Sequence, residues 1–382
     1  MVRPTQLHLA VALDGTGWHP ASWRSAHARP GELFTAGYWL DLVLRAESGL
    51  LDFVTFADSL GPQSSLPDGP DERVDRVRGR LDAGLIAARV APRTHHIGLV
   101  PHVVVTHTEP FHVSKAVATL DYVSGGRAGW LPQVSTSSGD NAHFGRRREI
   151  VPDELLDEAA DHVEVVRRLW DSWEDDAEIR DVTTGRFIDR DKLHYIDFRG
   201  QWFDVKGPSI TPRPPQGQPL VIATADDPAG YRFAVRSADV VLIPVPDPRA
   251  AGEAVDAVRS QRGSGDLPHV FGDLVVFLGA DAADRRARLD ELDRPSTSDA
   301  PVFTGTAEQL ADLLLPLAER GVTGFRLHPG ELPRDLTAIT EELVPELQRR
   351  EAFRTEHATG SLRERLGLAR PVNRYATAGG TS

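Results

Sequence analysis

The chain has 382 residues, 40% of them apolar, with a formal net charge of -13 and no cysteine. Disulfides, thiolate metal centres and thiol nucleophiles are thereby excluded, and the acidic balance argues against a nucleic-acid partner, which needs a basic face. No apolar run approaches the roughly eighteen residues of a membrane span, and MVRPTQLHLAVAL is too short in apolar residues for a secretory signal, so the expectation is a cytoplasmic protein with neither membrane nor nucleic acid as partner.

Leu7 to Leu13 alternates and is β-rich, which predicts a first strand ending at the turn Asp14-Gly15-Thr16-Gly17. A long irregular loop leads to an amphipathic helix over Ala36–Ser48, stopped by Gly49. Asp52–Ala57 reads as a second strand ending at Asp58, and a loop rich in Pro, Gly and Asp runs from there to Arg80. Leu81–Ala91 is a helix ended by Pro92, Ile97–Thr106 a third strand, Pro110–Tyr122 a third helix, and the apolar run after Gly125-Gly126 a fourth strand that stops at Ser135-Thr136-Ser137-Ser138. Glu154–Trp173 carries the longest helical pattern, with Leu155, Ala159, Val163, Val166 and Leu169 on one side.

From Glu174 to Gln218 the texture changes to alternating residues broken by Gly and Pro, a hairpin-rich insertion. The strand-helix rhythm then resumes: strands over Pro219–Thr224, Asp239–Val245, Val270–Leu278 and Phe325–Leu327, and helices over Ala229–Ser237, Arg249–Arg262, Thr306–Arg320 and Asp335–Arg349. Thr306 and Gln309 form a capping box. Glu351–Ser382 is a polar tail without a core pattern. Eight strands alternating with helices imply parallel pairing, because each parallel crossover needs a helix. With no G-x-G-x-x-G after the first strand, the expected fold is a single (β/α)8 TIM barrel over residues 1–350, with an insertion at about 174–218 and an extended carboxyl-terminal tail over 351–382.

In such a barrel ligands sit at the carboxyl ends of the strands. Asp58 ends strand two: it either orients a ligand or caps a helix. Thr106 and His107 end strand three, as ligand donors or as a helix cap with a solvent-facing imidazole. Ser135, Thr136 and Ser137 end strand four; hydroxyls and free N–H groups there suit a phosphate, though the composition by itself favours a plain polar loop. His19, His143 and His328 join His107 as acid–base candidates by position alone. His102, inside strand three, reads as a buried structural imidazole. No histidine spacing makes a metal site, and no nucleophile elbow or phosphate-binding loop is present. Trp18, Trp130, Trp202 and Phe203 are pocket walls or plain core.

Taken together, FVTFADS, EPFHVSKAVATLDYVSGGRAGW, HFGRR, DHVEVVRRLWDSWEDDA, FIDRDKLHYIDFRGQWFDVKGP and LQRREAFRTE resemble the flavin-dependent monooxygenases of the bacterial luciferase-like superfamily, in the branch of nitrilotriacetate monooxygenase component A, pristinamycin IIA synthase and dibenzothiophene-sulfone monooxygenase. The resemblance implies a barrel with an insertion and a homo-oligomer, dimer or tetramer. It implies FMN as cofactor, supplied as FMNH2 by a separate flavin reductase, and insertion of one oxygen atom from O2 into a small organic substrate by way of a flavin C4a-hydroperoxide. Asp58 and Thr106 match flavin-contacting positions of the family. Elsewhere the pattern breaks: Leu131 stands where the family has Asn, Pro152 and Leu156 replace a His-x-x-x-Tyr pair, and Ala225-Asp226-Asp227 replaces the Gly-Ser-Ser that holds the FMN phosphate. Two carboxylates beside a phosphate repel it by several kcal/mol in a partly desolvated site; Arg146, Arg147 and Arg148 would offset this if their loop folded over it. These departures favour a second expectation, a barrel that has lost flavin and serves as a non-catalytic partner subunit. A third is a deazaflavin-dependent oxidoreductase on the same scaffold.

Overall fold

All eight predicted strands form: β1 (His8–Leu13), β2 (Phe53–Phe56), β3 (Gly98–Val104), β4 (Gly129–Gln133), β5 (Leu220–Thr224), β6 (Val240–Pro244), β7 (His269–Leu278) and β8 (Gly324–Pro329). They pair in parallel in the order β6-β5-β4-β3-β2-β1-β8-β7, and β6 pairs with β7 to close the cylinder. The computed structural model describes residues 6–66, 69–145, 152–262, 267–293 and 300–376. Within them, a further parallel strand, Val302–Gly305, lies outside the cylinder against the carboxyl half of β7.

The helices that cover the barrel are α1 (Ala36–Ser48), α2 (Ala83–Val90), α3 (Pro110–Ser124), α4 (Ser138–Phe144), α5 (Pro152–Asp171), α6 (Pro228–Ser237), α7 (Pro248–Arg262), α8 (Ala282–Leu292) and α9 (Ala307–Glu319). The last predicted helix starts at Arg334 and ends at Arg349, with a π-turn over Ile339–Leu343. α4, α8 and the strand at 302–305 are absent from the sequence expectation. α4 has seven residues, too few for a periodic signal, and α8 (AADRRARLDEL) is mostly polar, so its buried face shows no apolar stripe.

Side chains alternate along a strand, and here the alternation sorts two cores. Val11, Val54, Leu99, Trp130, Val221, Val241 and Phe325 face the helices in the larger cluster. Ala10, Phe53, Val100, Leu131, Leu220, Ile222, Val240, Leu242 and Phe271 form the inner cluster. Leu362 and Leu366, from the stretch expected to lack a core pattern, belong to that inner cluster and close the amino end of the barrel. Leu362 lies in a short helix, Leu362–Arg365, with its own capping box from Ser361 and Glu364. The insertion carries two small hairpins, Glu178–Asp181 with Arg186–Ile188 and Phe198–Arg199 with Asp204–Val205. Phe198, Phe203 and Val205 pack with Ile196 against Val165 and Leu169 of α5.

Candidate functional site at the carboxyl mouth

Two residues above the inner cluster on each strand, the same inward parity gives Thr55 on β2, His102 on β3, Gln133 on β4, Asp273 on β7 and Arg326 on β8, with His328 one step higher. An apolar barrel floor thus gives way to a polar layer beneath the carboxyl mouth. Arg326 donates to Asp273 through two parallel bonds, Nε to Oδ1 at 2.8 Å and Nη2 to Oδ2 at 2.7 Å. His102 Nδ1 lies 3.3 Å from Gln133 Oε1. Three polar atoms of this layer are buried without a hydrogen-bond partner: Thr55 Oγ1, His102 Nε2 and Arg326 Nη1. A buried polar group left unpaired costs about 1–3 kcal/mol, so three in one layer mark a place built to receive a polar partner. His102 is thus buried and hydrogen-bonded through Nδ1, as its position inside a strand suggests, while its Nε2 is left open. Burial, then the charge of Arg326, pushes its ring pKa down to about 3, which keeps it neutral.

Around the mouth the expected site residues fall into three groups. At the lip, Asp58 accepts the N–H groups of Ser59 at 2.8 Å and of Ala83, the first residue of α2, at 3.1 Å. Burial raises its carboxyl above the usual value against the pull of those two donors. Thr106 is buried and its Oγ1 accepts the Ser135 N–H at 2.9 Å, joining the ends of β3 and β4. His328 donates from Nε2 to Asp273 Oδ1 at 2.8 Å and is partly exposed.

A second group is spent on local structure. Ser135 Oγ donates to Asp140 at 2.7 Å and accepts the Ser137 N–H at 3.2 Å. Ser137 Oγ caps α4 by accepting the Asp140 N–H at 3.2 Å, and Thr136 is exposed. Asp227 is the N-cap of α6, accepting the Gly230 N–H at 2.6 Å, and Asp226 is exposed beside it. The N-terminus of α6, where an incoming phosphate would need free N–H groups, is thus occupied by the chain's own carboxylate.

The third group is turned away. His19 is fully buried: Nδ1 accepts the Ala21 N–H at 3.1 Å and Nε2 donates to Asp290 at 3.0 Å. Its loop is stitched to the exit of β8 by bonds from Trp18 and His19 to the carbonyls of Pro329 and Gly330. Gly17, at φ +128°, permits this, since a Cβ there would lie 2.5 Å from the Gly330 carbonyl oxygen. His107 is buried with its ring stacked on Phe144 of α4, centroids 4.8 Å apart. His143 is exposed on α4. Arg146, Arg147 and Arg148 lie outside the described residues, as does the side chain of Pro152.

Loops frame the mouth. Arg80 reaches Asp14, at the end of β1, at 3.1 Å. Arg73 and Arg76 hold Asp293, just past α8, at 2.8 and 2.6 Å, pinning the loop between β2 and α2. A groove of about 520 Å3 opens between α2 and α3, lined by Asp58, His102, Thr108, Leu85, Val113 and Leu120. A smaller one of about 280 Å3, between the end of β3 and the insertion, is lined by Thr106, His107, Glu158, His162, Trp202 and Phe203.

Asp273 and Arg326 were not singled out in the sequence. The signal was available: each is a charged residue at an inward position of an otherwise apolar strand.

The family model described as "Luciferase-like monooxygenase" matches residues 16–348. The chain is 30% identical to N-acetyl-S-(2-succino)cysteine monooxygenase of Bacillus subtilis (strain 168), over 97% of this chain and 98% of that protein. It is 28% identical to nitrilotriacetate monooxygenase component A of Aminobacter aminovorans, again over 97% and 98%. The crystal structure of a long-chain alkane monooxygenase superposes with a TM-score of 0.87 at 23% identity, covering 95% of each chain.

Proposed function

The chain belongs to the luciferase-like monooxygenase family, and on that premise we propose that it is an FMNH2-dependent, two-component monooxygenase that places one atom of O2 on a small organic substrate. The supporting observation is the polar layer under the mouth, with Thr55 Oγ1, His102 Nε2 and Arg326 Nη1 buried and unpaired. The isoalloxazine, an amphipathic ring edged with carbonyls and ring nitrogens, fits such a layer, with Asp58 and Thr106 at its edge. The phosphate does not fit at the N-terminus of α6, where Asp227 already takes the Gly230 N–H and Asp226 adds a second negative charge. The flavin is held by its ring rather than by a phosphate cradle at that helix. When bound, reduced flavin supplies the two electrons that activate O2. The chain's own part is to bind, orient and keep water from the reacting atoms.

A separate reductase as partner, a cytoplasmic location and one folding unit that takes in Leu362 and Leu366 beyond residues 1–350 belong to the same reading; no helix among the described residues is long and apolar enough to cross a membrane. Exposed Leu85 and Val123, at the groove between α2 and α3, support a homo-oligomer packed through these helices. Anaerobic titration with FMNH2, followed by admission of air, tests the proposal. Tight binding of FMNH2 with slowed release of hydrogen peroxide is the expected result. Absence of FMNH2 binding would select the second reading, a flavin-free partner subunit, which Asp226, Asp227 and Leu131 favour.

A further inference from the structure

The bidentate Arg326–Asp273 pair is complete in itself, yet a third ionisable group rests on it. His328 sits two residues beyond Arg326 on the inner face of β8 and donates from Nε2 to Asp273 Oδ1 at 2.8 Å. An ionised carboxylate only accepts, so this contact requires the proton on Nε2 and fixes the tautomer. Burial would raise the Asp273 carboxyl, but the Arg326 and His328 charges outweigh it and hold it below the usual carboxylate range, ionised. Nδ1 of His328 is left without a hydrogen-bond partner among the described residues, on a side chain 21% exposed at the mouth. His19, by contrast, engages both of its nitrogens. His328 has one nitrogen anchored to a fixed carboxylate and the other without a partner among the described residues on a partly exposed side chain at the end of β8, an orienting arrangement known from acid–base histidines.

We propose that His328 is the proton donor of the monooxygenation, with Asp273 and Arg326 as the pair that positions it. The proposal rests on the functional reading above. In that reaction, substrate, O2, two electrons and two protons give the oxygenated product and one water. The O–O bond breaks, one oxygen bonds to the substrate, and the other departs as water; the electrons come from reduced flavin delivered by the reductase. His328, as the imidazolium, gives its Nδ1 proton to the departing oxygen. It becomes a neutral imidazole still bonded through Nε2–H to Asp273, and is reprotonated by solvent at the mouth, which also supplies the second proton. Its charged neighbours are Asp273 on β7 and Arg326 on β8; the titratable but neutral His102 on β3 feels the charges of Arg326, His328 and Arg80.

The test has two arms on the full-length protein. Nitrogen NMR of the 15N-histidine-labelled protein, without flavin, reads the tautomer. In its neutral form His328 is expected to carry the proton on Nε2 in the wild type and to be a mixture of tautomers in Asp273→Asn; a neutral ring with the proton on Nδ1 in the wild type overturns the proposal. The second arm follows hydrogen peroxide formation from protein-bound FMNH2 and O2, which keeps the O–O bond but needs a proton delivered to the oxygen being released at the same place. His328→Gln is expected to slow it by ~100-fold and to change the solvent isotope effect, while added imidazole restores His328→Ala. Unchanged rates in variants that bind FMNH2 as the wild type does would overturn the proposal. If the wild type itself fails to bind FMNH2, the functional reading falls and this role with it, and that failure is recognisable because every variant shares it.

Discussion

The Ser135 N–H donates to Thr106 Oγ1 at 2.9 Å, so one side chain at the end of β3 fixes the backbone at the end of β4. Neither residue is exposed, so water cannot replace the bond at low cost. Thr106→Val, nearly the same shape, leaves the Ser135 N–H unpaired and is expected to cost about 1–3 kcal/mol in urea unfolding. Thr106→Ser keeps the acceptor and should cost clearly less. Equal losses in the two variants would mean that the methyl group, and not the hydroxyl, holds the mouth together.

The carboxylates at the start of α6 set the second expectation. Asp226→Ser with Asp227→Ser removes two negative charges from the helix end while keeping an N-cap side chain, since Ser serves there as well as Asp. Folding stability should change little, and FMN affinity should rise by ~10-fold or more, measured by quenching of flavin fluorescence. Unchanged affinity would place the phosphate elsewhere.

His162 on α5 gives the protein an acid-sensitive joint. It is 1% exposed, its ring lies against Trp130 and Phe203, and its Nε2 has no partner. Burial pushes its pKa down to about 3, below the ~6.5 of an unfolded histidine. The unfolded chain therefore binds the extra proton. The stabilising contribution is complete above pH ~6.5 and is lost as pH falls toward 3, at ~1.4 kcal/mol per pH unit. His162→Gln should flatten the decline of stability between pH 6 and 4 by about that slope. Parallel curves for the two proteins would show that the ring titrates normally.

Asp293 ties down the loop that follows β2. Its two oxygens take Arg73 at 2.8 Å and Arg76 at 2.6 and 2.9 Å. Asp293→Ala should expose a loop that carries Arg73, Arg76, Arg78 and Arg80 to trypsin, with cleavage faster by ~10-fold or more and the melting temperature of the barrel little moved. Unaltered cleavage would show that other contacts hold the loop.

Much of this architecture was legible in the chain because the barrel is written in periodicity. The eight barrel strands carried a pattern, as did the covering helices other than α4 and α8, and α1 was placed to the residue by its amphipathic run and Gly49. What escaped has a common cause. Leu362 and Leu366 look like isolated leucines in a polar tail, and only the closed cylinder shows that they meet Phe53 and Phe271 from below. The mouth was foreseen as a place, at Asp58, Thr106 and His328, but not in its wiring. His19 and His328 look alike as loop and strand-end histidines; their difference is which neighbours, 271 residues away at Asp290 or 55 away at Asp273, fold against them. Contacts of such separation leave no local trace in a sequence.

Leu362 and Leu366 stopper the lower end of the barrel, so the polar layer of Thr55, His102 and Arg326 lies between an apolar plug and the carboxyl mouth. The tail is thereby part of the vessel: shortening the chain ahead of Leu362 removes the floor under that layer, while the Arg73–Arg76–Asp293 ties at the rim stay as they are.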